Sequence, residues 1–107
     1  MSGIAALAVT ARTGNQLSSA WCSPLDGGGA PIVTTTDGTT EPIVWAVGAE
    51  GDNRLHGFRG DTGEEIFAGA GAGEGMDGLR HFATILVAAG RFYIAGDGHI
   101  FAFKLPR

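Results

Sequence analysis

The side chains able to do chemistry in this chain stand in four glycine-punctuated stretches, CSPLDGGGA, GAEGDNR, GAGAGEGMDGLRH and GDGH. They carry Asp26, then Glu50, Asp52, Asn53 and Arg54, then Asp77, Arg80 and His81, and finally Asp97 and His99. Carboxylates, guanidinium groups and imidazoles brought side by side make a mixed donor and acceptor rim, a surface suited to a small polar ligand. Loops are also polar simply because they are wet, and that plainer reading is preferred. Glu50, Asp52, Asn53, Arg54, Arg80, His81, Asp97 and His99 are kept as candidates for a ligand-binding face. No catalytic residue and no metal set is assigned.

Sharper motifs are few. GEGMDG, from Gly73 to Gly78, fits the dinucleotide pattern G-x-G-x-x-G, and Asp97 stands 19 positions after Gly78, near the spacing of a ribose-binding acid. A chain with 19 glycines produces this pattern readily by chance. The preceding strand carries Glu64 and Glu65, unlike a buried parallel strand, and TILVAAGRFYIAG reads better as two strands than as a helix. A flexible connection is the preferred reading of 73–78. Neither a phosphate-binding Gly-Lys-Ser/Thr nor a Gly-x-Ser-x-Gly elbow occurs. His56, His81 and His99 lie in separate segments without a His-x-x-x-His pair, so a zinc site is not expected. Cys22, beside Trp21, reads as a small packed residue, and as the single cysteine it excludes an internal disulfide.

Bulk composition narrows the rest. The 107 residues suffice for one ordinary domain, and a composition 44% hydrophobic and 17% charged favours folding over disorder. Seven basic against eleven acidic side chains give a formal charge of −4, which argues against nucleic acid as a partner. The early apolar run IAALAV lacks a basic flank and is too short for a signal or a membrane helix, so no membrane insertion is expected. The compartment stays open.

The elements that must position the polar loops repeat along the chain. Thr13-Gly14 and Thr62-Gly63 stand 49 positions apart, and Phe58 and Phe103 stand 45 apart. APIVTT pairs with ATILVA, and PIVWAVG with RFYIAG. Self-similarity with a period in the forties is the signature of four-stranded propeller blades. The runs PIVTTT, PIVWAVG, RLHGF, EEIFAG, TILVAA, RFYIAG and HIFAFKL are short, β-branched or aromatic, and bounded by Gly, Asp or Asn. In HIFAFKL, Ile100, Ala102 and Lys104 alternate with Phe101, Phe103 and Leu105, leaving apolar residues on both faces. Strands are expected at 6–11 and 17–21 (third and fourth of one blade), at 31–36, 43–47, 54–59 and 65–69 (a complete blade), and at 84–88, 92–95 and 100–105 (the first three of another). The expected fold is all-β, with antiparallel four-stranded blades amounting to about two and a quarter in an incomplete ring. It divides into a partial blade at 1–22, a full blade at 30–70 and a partial blade at 83–105.

LHGFRGDTGEEIF resembles the repeat of PQQ-type, quinoprotein dehydrogenase-like propellers through Leu55, Phe58, Thr62, Gly63 and Ile66. RFYIAGDGHIFAFK is similar to that family's strand, Gly-Asp-Gly turn and following strand through Tyr93, Gly96, Asp97, Gly98, Ile100, Ala102 and Phe103. Arg59 stands where the repeat has Asp, and Phe67 replaces the tryptophan that packs between blades, a ring that Trp21 would supply once. The resemblance implies a C-terminal piece of a larger propeller, in a family often periplasmic or secreted. Its expected role is a non-catalytic scaffold or interaction module, with no cofactor. Its partners would be further copies of itself or the missing blades. One alternative is a fragment of a quinoprotein dehydrogenase, which would use PQQ and calcium. A weaker one is a nucleotide-binding protein using 73–78.

Overall fold

The computed structural model describes residues 3–10, 16–35, 37–69, 71 and 74–104, and its regular structure is entirely strand. The nine strands are β1 (Gly3–Thr10), β2 (Gln16–Pro24), β3 (Ile32–Thr34), β4 (Ile43–Val47), β5 (Leu55–Arg59), β6 (Glu65–Phe67), β7 (Ile85–Ala88), β8 (Arg91–Gly96) and β9 (His99–Lys104). They form three open antiparallel sheets in chain order, β1-β2, β3-β4-β5-β6 and β7-β8-β9. The expected all-β, antiparallel organisation is present. No helix among the described residues is long and apolar enough to cross a membrane.

Strand limits differ from expectation where the backbone has another partner. β1 begins at Gly3 and β2 runs on to Pro24, because Ala5 and Ile4 pair with Cys22 and Ser23 beyond Trp21. Arg54 stays outside β5, since its carbonyl accepts from the Gly48 amide and its own amide donates to the Asp52 carboxylate. β6 stops at Phe67, and Gly69 turns the chain at φ +59°. β3 is confined to Ile32–Thr34, after Pro31, which has no N–H to donate. Expected strand residues Ala11, Thr36 and Leu105 lie outside the described residues.

The middle sheet has two apolar faces. Register places Trp45 opposite Gly57 and Val47 opposite Leu55, so these share one face, while Ala46, His56 and Phe58 share the other. On the first face Trp45, Val47 and Leu55 join Ile85, Phe92 and Ile94 of the third sheet in a common core, with Trp45 and Phe92 ring centroids 4.7 Å apart. On the second face Ala46, Phe58 and Leu25 pack with Ile4 and Trp21 of the β1-β2 hairpin. The chain is therefore a stack of three sheets.

Two glycines make these contacts possible. A Cβ on Gly57 would stand 2.7 Å from Trp45 Cζ3, so the indole lies across a residue that must be bare. Gly63, in the RGDTGEE turn, has φ +79°, and a Cβ there would stand 2.5 Å from Trp21 Cε3. Trp21 rests on that turn, its Nε1–H donating to the Gly60 carbonyl at 2.8 Å, while the Ser23 hydroxyl donates to the Gly63 carbonyl.

Gly63→Val should cost about 2–4 kcal/mol, because a β-branched residue meets both a left-handed backbone and a tryptophan ring. Gly71→Val, whose nearest neighbour is the flexible end of Glu74, should cost under about 0.5 kcal/mol. Equal losses in urea denaturation would disprove the role of the turn. The two-residue β7-β8 turn is built from Ala89 at φ +53° and Gly90 at φ +74°, a conformation that favours Asn-Gly. Ala89→Asn should accordingly raise the melting temperature, by about 0.5–1 kcal/mol of stability; no gain would place the strain elsewhere.

Candidate functional site

The four polar loops do converge. Asp26 accepts from the Asp52 amide (3.0 Å), Gly28 donates to the Ala49 carbonyl (3.0 Å), and Met76 donates to the Asn53 carbonyl (2.8 Å). Asp97 donates to the Gly78 carbonyl at 3.0 Å. These backbone bonds tie the β2-β3, β4-β5, β6-β7 and β8-β9 connections into one end of the stack.

The eight candidate residues divide into two groups there. Arg80 pairs with Asp97 through Nε, at 3.1 Å from Oδ2, and through Nη2. The His81 amide donates to Glu50 Oε2 at 3.2 Å, and His81 Nδ1 lies 3.2 Å from the same oxygen. His99 Nδ1 donates to the Asp97 carbonyl at 3.1 Å, and the ring stacks on Phe101. Glu50, Arg80, His81, Asp97 and His99 thus form an exposed set of mutually bound polar groups across three connections. His81 holds the Glu50 carboxyl below its ordinary range by hydrogen bonds from its side chain and its amide, with a smaller contribution from the Arg80 charge. Arg80 lowers Asp97, and Asp97 in return raises Arg80.

Asp52, Asn53 and Arg54 serve the fold instead. Asp52 accepts from the Arg54 amide at 3.1 Å and from His56 Nε2 at 2.7 Å. Arg54 spends its Nη1 on the carbonyls of Gly69 (2.6 Å) and Gly71 (3.2 Å), pinning the β6-β7 connection to the start of β5. Asn53 takes a left-handed φ of +57°, and its Oδ1 is buried without a hydrogen-bond partner among the described residues.

His56 is the residue that the sequence did not single out. It is 8% exposed, and its two ring nitrogens face two carboxylates, Asp52 Oδ2 at 2.7 Å and Glu65 Oε2 at 2.6 Å. Each ring nitrogen thus has a carboxylate oxygen within hydrogen-bond distance. The ring also stacks on Phe58, with centroids 6.3 Å apart. This trio ties the β4-β5 connection, β5 and β6 together. The spacing of four between Asp52 and His56 was a readable signal; the third member was not, because a bulge between Gly57 and Phe58 shifts the β6 register.

GEGMDG has a different role from the one its glycines suggest. Met76 and Leu79 are buried in the core between the second and third sheets, and the chain continues through a turn into β7 where a dinucleotide fold needs a helix. Gly73 lies outside the described residues. At the opposite end of the stack, an open hollow of about 460 Å³ is lined by Glu41, Pro42, Ile43, Arg59, Asp61 and Ile66. Arg59 and Asp61 pair there at 3.4 Å, leaving no unspent charge of the pair facing the hollow.

Comparison of the chain with protein-family models, with curated proteins and with solved structures gave no match.

His56→Ala should destabilise by about 2–4 kcal/mol, since it strands two partly buried carboxylates, whereas His81→Ala should stay within about 0.5 kcal/mol. Similar losses for both would refute the assignment. In an NMR titration the exposed Asp37 carboxyl, which accepts from the Thr39 and Thr40 amides, should titrate at about 2. His81→Ala should raise Glu50 part of the way toward the ordinary glutamate range, the residue-81 amide and Arg80 keeping the remainder of the shift, and leave Asp37 unmoved; an unchanged Glu50 would remove the His81 side chain as the main cause. Both folded-state values are depressed, so any stability these groups add is complete above the unfolded-state values. It is lost as the pH falls through the folded ones.

Proposed function

We propose that the chain is a non-catalytic segment of a PQQ-type β-propeller, acting as a scaffold or interaction module built from stacked sheets. The observation that carries this reading is Trp21. Its indole leaves one sheet and rests on the Thr62-Gly63 turn of the next, its N–H bound to the Gly60 carbonyl. A tryptophan packed between neighbouring sheets is what the resemblance to that repeat calls for, and this contact supports the reading. The grouping of strands into sheets of two, four and three supports the same reading, as does β9, which pairs with β8 alone among the described residues.

The alternative, a fragment of a quinoprotein dehydrogenase, meets a donor set that does not suit calcium. Glu50, Asp52 and Asp97 are engaged by His81, His56 and Arg80 respectively, on separate loops. No group of three His, Cys, Asp or Glu side chains among the described residues is placed to hold a metal ion. Calcium takes six to eight oxygens, most of which would have to be released from existing partners. The nucleotide reading needs a helix to bind a pyrophosphate, and the described residues contain none.

A thermal-shift titration tests the proposal. A ligand at a hundredfold excess over its Kd adds about 2.7 kcal/mol to the folded state, roughly 10 °C or more for a chain of this size. Neither calcium nor soluble PQQ, alone or together, should raise the melting temperature. A calcium-dependent rise abolished by Asp97→Ala would overturn the scaffold reading in favour of the dehydrogenase one.

A further inference from the structure

The stack ends in two open faces that match the faces it has already joined. In the hairpin, Ile4, Ala6 and Trp21 point to the middle sheet, and a bulge between Ala6 and Leu7 keeps Leu7, Val9 and Leu17 together on the opposite side. All three are 61–70% exposed. In the third sheet, Phe92, Ile94, Phe101 and Phe103 point to the core. Leu86, Tyr93 and Ile100 share the other face, where Leu86 and Ile100 are 63% and 75% exposed. One chain therefore carries an apolar sheet face at each end, both pointing outward.

The surface area says how much is left uncovered. A compact chain of 10.9 kDa exposes about 5,600 Å², whereas this one exposes 6665 Å². Shared between the two faces, the surplus of roughly 1,100 Å² is about 550 Å² on each, so one contact between copies buries about 1,100 Å² in all, just above the roughly 1,000 Å² that a specific interface needs. The described hairpin residues include no charged side chain, and on the outer face of the third sheet the two cations, Arg91 and Lys104, stand opposite each other at one end, away from Leu86 and Ile100. Burying the centre of either face strands no charge. The internal interfaces show the packing available: sheet face on sheet face, with side chains alternating in and out.

We propose, resting on the scaffold reading, that the occupant of each open face is a second copy of this chain, joined head to tail. The Leu7-Val9-Leu17 face of one hairpin stacks on the Leu86-Tyr93-Ile100 face of the next copy, continuing the order of sheets already present within the chain. The two contacting surfaces differ, so the contact is heterologous: it closes into a ring or propagates as a filament.

Sedimentation velocity on the 107-residue chain from 1 to 100 µM tests this, with Val9→Lys and Ile100→Lys, both at exposed positions, checked for unchanged far-UV circular dichroism. The chain should associate with rising concentration, and each variant alone should be monomeric, with association at least a hundredfold weaker. Mixed in equal amounts, the two should form a 1:1 complex and stop there, because the intact hairpin of one meets the intact third sheet of the other. A monomeric unmodified chain at 100 µM overturns the proposal. So does either variant that associates normally, or a mixture that stays monomeric. Each of these results leaves the scaffold reading standing, since that reading fails on the calcium and PQQ titration instead.

Discussion

In β4 and β5 successive side chains point into two different cores, Trp45, Val47 and Leu55 into one, Ala46 and Phe58 into the other. This alternation, with no wet face, is the constraint from which the rest of the molecule follows. An antiparallel sheet ordinarily keeps one face in water. Here both faces must be roofed, so the chain supplies a sheet on each side, and each roof in turn has an outer face of its own. Covering one apolar surface with a strand assembly always creates the next. A three-sheet stack postpones that problem without ending it.

Polar chemistry is confined by the same constraint to the ends of the stack. At one end the four connections are bound to one another through their backbones, and their side chains answer one another: Glu50 with His81, Asp97 with Arg80, Arg54 with the Gly69 and Gly71 carbonyls. Groups that would attract a ligand if left open are spent on holding loops together. Within the sheet, His56 shows what a polar residue needs on a buried face: a partner for each nitrogen, drawn from the adjacent connection and the neighbouring strand. It clamps β5 and β6 to the β4-β5 connection.

Strand identity was legible in the sequence because β-branched and aromatic runs alternate between glycine and aspartate stops, and β4 falls on 43–47 as the pattern requires. The expected limits failed where they hung on propensity alone. Arg54 continues an apolar run on paper, but in space its amide is bound by Asp52. Trp21 was readable as a ring between sheets; that its seat would be Gly63 needed the distance between them. The rim residues were legible as a group, through their loops, and not as pairs, since Glu50 and His81 stand 31 positions apart. Met76 and Leu79 were hidden by the glycines around them, which suggest looseness while the two apolar side chains at a spacing of three fill the gap between two sheets.

The placement of the two tryptophans has an optical consequence. Trp21 is half-buried at the interface between the first and second sheets, and Trp45, 2% exposed, sits at the interface between the second and third. Each junction in the stack therefore holds its own intrinsic fluorophore, in a different environment. A separation of any two sheets changes one emission band while the other keeps its wavelength, so the order in which the layers come apart is written in the colour of the unlabelled protein.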